Sequence, residues 1–128
     1  MATVRIALVD DEAPVRQALY RLLTLSGFEV TGFASGQAFL ASLPASVPDL
    51  VLLDIHMPGM NGLQVRDDLK AAHARLPIIF MTASDDAEVA DLVRSSGTST
   101  MLRKPFTREA LLQAVQSLLP AGASEHHP

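Results

Sequence analysis

The chain contains no cysteine. A disulfide framework, a thiolate metal site and a cysteine nucleophile are therefore excluded, and a reducing cytosol suits the composition. No apolar run approaches the roughly 20 residues needed to span a bilayer. The start, Met1-Ala2-Thr3-Val4-Arg5, also lacks a basic region leading into a long apolar segment. The expectation is a soluble, cytoplasmic protein with no membrane partner. Positive charge is in deficit: ten Lys and Arg stand against fourteen Asp and Glu, for a formal charge of −4. This segment therefore lacks the basic footprint of direct nucleic-acid binding.

Within the 128 residues, apolar runs alternate with helical patterns. Arg5-Ile6-Ala7-Leu8-Val9 ends in Asp10-Asp11-Glu12, and Pro14 suits the first turn of the helix that follows. That helix shows Val15, Ala18, Leu19, Leu22 and Leu23 on one stripe, Arg16, Gln17 and Arg21 on its outer face, and Gly27 as its stop. Glu29-Val30-Thr31-Gly32-Phe33 reads as a strand, and Ser35 caps a short helix with Phe39, Leu40 and Leu43. Leu50-Val51-Leu52-Leu53 runs into Asp54 and a Pro/Gly loop. Leu63, Val65, Leu69 and Ala72 then mark a third helix, with Asp67, Asp68 and Lys70 facing out. Ile78-Ile79-Phe80-Met81 ends in Thr82. A fourth helix, capped by Asp85 and Asp86, carries Val89, Leu92 and Val93 inward and closes at Gly97. Thr100-Met101-Leu102-Arg103 ends in Lys104-Pro105, and Thr107 caps a last helix with Leu111, Ala114, Val115 and Leu118.

Five apolar runs with helical patterns between them, and no two-residue hairpin turns, require crossover connections. The predicted fold class is α/β, a doubly wound five-stranded parallel sheet covered by helices on both faces. One domain is expected over residues 4–119, with a tail at 120–128.

In a parallel sheet all strands end at one edge, so Asp10, Asp11, Asp54, Thr82 and Lys104 become neighbours there. Two carboxylates about 4 Å apart repel by roughly 4 kcal/mol at an effective dielectric near 20. One ammonium cannot offset three acids, whereas a divalent cation can. All-oxygen ligands favour Mg²⁺ or Mn²⁺ over Zn²⁺ and Ca²⁺. Asp54 could then act as a nucleophile toward phosphorus, with the metal and Lys104 neutralising phosphoryl charge and Thr82 donating a hydrogen bond.

Four segments carry a family resemblance: Val9-Asp10-Asp11-Glu12, Leu53-Asp54-Ile55-His56-Met57-Pro58-Gly59-Met60-Asn61-Gly62, Met81-Thr82-Ala83 and Lys104-Pro105-Phe106. Together they resemble the signatures of the response-regulator receiver domain of two-component signalling. Phe33-Ala34-Ser35-Gly36 and Phe39-Leu40 resemble most the FixJ/NarL type. The resemblance implies a flavodoxin-like (βα)5 fold with strand order 2-1-3-4-5. It implies that Asp54 accepts a phosphoryl group from a sensor histidine kinase or phosphotransfer protein. Asp11 and Asp54 would bind Mg²⁺ directly, Asp10 mainly through water, and His56 through its main-chain carbonyl. Thr82 and Lys104 would grip the phosphoryl group, and Lys104–Pro105 would be cis. The face of the fourth helix, fifth strand and fifth helix would report phosphorylation to an output domain or a partner, or by homodimerisation, with transcriptional regulation the output implied by FixJ-type relatives. Beyond its own phosphorylation and dephosphorylation, such a domain is a signalling switch and not an enzyme.

Two positions depart from the family pattern. Met101 stands where an aromatic switch residue is usual, so the ring-based account of signal transmission does not carry over. His56, two residues after the acceptor, and Ser84, two after Thr82, occupy positions that influence phosphate loss. Three other readings are open from the residues: a receiver-shaped module not regulated by phosphorylation, a haloacid-dehalogenase-like phosphohydrolase, and a flavodoxin-like cofactor binder. The second is disfavoured by His56 where a second acid is usual, and the third by the lack of a Gly-rich phosphate loop.

Overall fold

The structure, a computed structural model, describes residues 3–43, 45, 47–72, 76–83, 91 and 99–119. In chain order these form β1 (Arg5–Val9), α1 (Ala13–Leu25), β2 (Glu29–Phe33), α2 (Gly36–Ala41), β3 (Leu50–Asp54), α3 (Gly62–Ala72), β4 (Ile78–Thr82), β5 (Ser99–Arg103) and a C-terminal helix (Arg108–Leu118). The expected fourth helix, Ser84, His73 and the tail with His126 and His127 lie outside the described residues.

The strands pair in parallel in the order β2-β1-β3-β4-β5. This bears out the α/β reading and the doubly wound order. Central β3 and β4 are buried along their whole length, whereas edge strand β2 is exposed at Glu29, Thr31 and Gly32. The contrast explains why β3 and β4 read as unbroken apolar runs: helices cover both faces of a parallel sheet's centre, but an edge strand borders water.

Register places side chains in rows. Phe33, Val9, Leu53, Phe80 and Met101 are Cα partners across all five strands. They belong to the core on one face, where Phe39 of α2 and Val65 and Leu69 of α3 pack. The opposite core joins Ile6, Leu8, Leu52, Ile79 and Met81 to Leu19 and Leu23 of α1 and to Leu111 and Val115 of the C-terminal helix. Full burial of each such side chain contributes about 1.5–3 kcal/mol. These two layers fix the strand ends at which polar side chains gather.

Helix ends follow local chemistry. Ser35 Oγ accepts from Ala38 N at 3.1 Å at the start of α2, and Thr107 Oγ1 accepts from Ala110 N at 3.0 Å at the start of the C-terminal helix. Pro14 lies in the first turn of α1, and Gly27, at φ 99°, follows that helix, a left-handed position that favours glycine.

Candidate functional site

The carboxyl ends of β1, β3 and β4 and the turn after β5 converge on a small polar site. Asp10 is fully buried, Asp54 is 4% exposed and Thr82 is 1% exposed. Lys104 Nζ reaches Asp10 Oδ2 at 3.0 Å, Asp54 Oδ2 at 3.4 Å and Glu12 Oε1 at 3.7 Å. Backbone amides hold the other carboxylate oxygens: Glu12 N donates to Asp10 Oδ1 at 2.9 Å, and His56 N donates to Asp54 Oδ1 at 3.1 Å. Among the described residues, no buried side-chain nitrogen or oxygen lacks a partner.

Neighbouring strands align these groups. Ile55 N donates to Met81 O at 2.9 Å, carrying the β3–β4 pairing past Asp54. Lys104 N donates to Thr82 O at 2.7 Å, which seats the lysine beside the end of β4. The Lys104–Pro105 peptide is cis. Below Asp54 the chain returns very closely: a Cβ on Gly62 would fall 2.7 Å from Asp54 O and 2.9 Å from Ile55 Cα. Gly62 N also donates to Ile55 O at 2.9 Å, so only glycine lets α3 start against the peptide of Asp54.

Burial holds the Asp54 carboxyl above the ordinary carboxylate range. Lys104 and the His56 N–H pull it down and the Asp10 charge pushes it up, but the net direction is upward. Burial alone would lower Lys104. The hydrogen bond to Asp10 and the charges of Asp54 and Asp10 outweigh it and hold the ammonium above the ordinary lysine range.

Asp10, Glu12 and Asp54 each place one carboxylate oxygen within 4.8 Å of the others. Three acids against one ammonium leave an excess of negative charge on hard oxygen donors, which fits a divalent cation. Of the residues expected from sequence, Asp10, Asp54 and Lys104 are brought together, and Thr82 ends the neighbouring strand. Asp11 is exposed and is not one of the three acids in the group. The side chain of His56 is exposed, and its contact with Asp54 is made by the backbone. Met101 packs against the apolar core beside Phe80.

Two residues were not assigned a role from the sequence. Glu12 joins the acid group, a role its place in the run Asp10-Asp11-Glu12 could have suggested. Arg16, read as an outer-face residue of α1, is half-buried and turns back, its Nη1 donating to Asp10 O at 2.6 Å.

Residues 6–116 match the family model of the response regulator receiver domain. The chain belongs to that family. As a receiver it resembles the DNA-binding transcriptional regulator NtrC of Klebsiella pneumoniae, 36% identical over 121 residues that make up 94% of this chain and 26% of that protein. It also resembles the transcriptional regulatory protein FixJ of Bradyrhizobium diazoefficiens, 36% identical over 124 residues that cover 94% of this chain and 60% of FixJ. The chain thus spans about a quarter of NtrC and under two thirds of FixJ. Among solved structures, the chemotaxis protein CheY4 of Vibrio cholerae superimposes with a TM-score of 0.85 at 28% identity, over 92% of this chain and 100% of CheY4. The receiver assignment displaces the phosphohydrolase and flavin-binding alternatives. No helix among the described residues is long and apolar enough to cross a membrane.

Proposed function

We propose that this receiver is a phosphorylation-controlled switch in which Asp54 accepts a phosphoryl group from a sensor histidine kinase or a phosphotransfer protein. The observation that carries the reading is the setting of Asp54: a buried acid at a strand end, 3.4 Å from the Lys104 ammonium and grouped with Asp10 and Glu12. An Asp54 carboxylate oxygen forms the new P–O bond, the donor's P–N bond breaks, and its electron pair leaves with the imidazole, which takes a proton from water. Lys104 faces the negative charge of the transferred group, and Thr82 donates a hydrogen bond to it.

The residues fit a divalent cation, Mg²⁺ with Mn²⁺ as an alternative. Asp10, Glu12 and Asp54 would hold it, with Asp11 and the His56 main-chain carbonyl as further ligands. When bound, the cation offsets charge on the phosphoryl oxygens. The signal would leave through an output domain, a partner or a second copy of the chain, and the NtrC and FixJ likeness supports transcription as the output.

Incubation with Mg²⁺ and acetyl phosphate, followed by intact-mass measurement, tests the reading. Wild type should gain one labile phosphoryl group and Asp54→Asn none, while His56→Ala should alter the rate at which the group is lost. No gain in wild type would favour a receiver that works without phosphorylation.

A further inference from the structure

Asp10 uses every polar atom it has. Its N–H donates to Phe33 O at 3.1 Å, Oδ1 accepts from Glu12 N, Oδ2 accepts from Lys104 Nζ, and its carbonyl accepts from the Arg16 guanidinium at 2.6 Å. Three of these partners come from the strand ladder or the acid site itself. The fourth is a helix side chain that reaches across from α1.

How Arg16 gets there is visible in the register. Gly32 pairs with Leu8 and lies in the row facing α1. A Cβ on Gly32 would sit 3.4 Å from Arg16 Cδ and 3.6 Å from Cγ, already in contact. The bare backbone of Gly32 is the floor over which the arginine stem passes. Anchoring comes from the helix, since Arg16 N donates to Glu12 O at 2.9 Å and ties the arginine to the first turn after the acids.

We infer that Arg16 is a positioning residue for the acid site: by holding the Asp10 carbonyl, with Gly32 as its track, it fixes the peptide that aims the Asp10 carboxylate. The inference rests on reading Asp10 and Asp54 as the metal- and phosphoryl-binding acids. Arg16 touches neither metal nor phosphoryl group and acts through Asp10. Outer partners of this kind typically set metal affinity by tenfold or more, because they decide where the ligand points.

Two substitutions reach the clamp from opposite ends. Arg16→Met keeps an apolar stem on Gly32 and removes the guanidinium. Gly32→Val leaves the guanidinium in place but fills its path, and valine suits a strand, so any loss is not a loss of strand propensity. In an NMR titration with Mg²⁺ alone, following the Glu12 and His56 amides, each variant should bind Mg²⁺ about tenfold more weakly than wild type. Without metal, the Glu12 amide, which donates to Asp10, should exchange faster in both. The double variant should be no worse than either single one, because both changes break one contact. Wild-type Mg²⁺ affinity and wild-type Glu12 exchange in Arg16→Met would overturn the inference and leave the phosphoacceptor reading standing. If wild type binds no Mg²⁺ and takes up no phosphoryl group while Arg16→Met still speeds Glu12 exchange, the clamp stands and the phosphoacceptor reading falls.

Discussion

Asp10 and Asp54 end neighbouring strands, are both buried and share one lysine, yet they are held very differently. Asp10 takes short bonds at both carboxylate oxygens, 2.9 Å from Glu12 N and 3.0 Å from Lys104 Nζ, and both its N–H and its carbonyl are bonded. Asp54 takes longer ones, 3.1 Å from His56 N and 3.4 Å from Lys104 Nζ, and burial drives its carboxyl upward. The first acid is the more tightly tethered of the two, with a free lone pair still on each carboxylate oxygen. The second is held by longer bonds and carries an unrelieved cost of burial, which a cation beside it would offset.

The largest test of this contrast removes what the two acids share. Lys104→Met leaves both carboxylates without their cation, so phosphoryl uptake should fall by about a hundredfold. Unfolding free energy in metal-free buffer should fall by about 3 kcal/mol, as when one member of a buried ion pair is deleted. Urea denaturation with a chelator present measures the second quantity.

A finer test sets the acids against each other. Asp10→Ala strands Glu12 N and removes the shortest of the three acid contacts of Lys104, and should cost about 2 kcal/mol. Asp54→Asn removes a charge that burial disfavours and should raise metal-free stability at neutral pH. Shifts of the same sign would break the comparison. The pH dependence follows from the raised carboxyl of Asp54. The folded state binds that proton more tightly than the unfolded chain, so the stability it contributes is full below the unfolded carboxylate value and lost as pH rises through the folded value. Wild type should therefore close the gap to Asp54→Asn as the pH falls through the raised value of Asp54, which denaturation at a series of pH values would show.

The smallest expected effect lies away from both acids. Ser35→Ala removes the cap of α2 and should cost about 1 kcal/mol, leaving phosphoryl uptake unchanged in the mass assay.

Much of the site was legible because strand ends are legible. An apolar run such as Leu50–Leu53 that meets an acid marks both a buried strand and its exit, and parallel topology does the rest, bringing Asp10, Asp54 and Lys104 together without further information. The caps at Ser35 and Thr107 were readable for the same local reason. Arg16 was not, since helical periodicity places it outside, and only the pairing of Gly32 with Leu8 shows the path by which it returns. Glu12 was only half-legible: the run of three acids suggests that its members share a role, but not that the exposed Glu12, rather than Asp11, reaches the Lys104 ammonium. Met101 shows the opposite limit. Its identity allows either an altered switch or ordinary strand packing, and only the row shows its neighbour, Phe80.

The seat of Gly62 against Asp54 has a mechanical meaning. With 11 residues, α3 is a rod about 16 Å long whose first residue leaves no room for a side chain beside the Asp54 peptide. A methyl group added at that first residue would have to push the start of the rod away from Asp54, so the missing side chain sets how closely the helix approaches the acid.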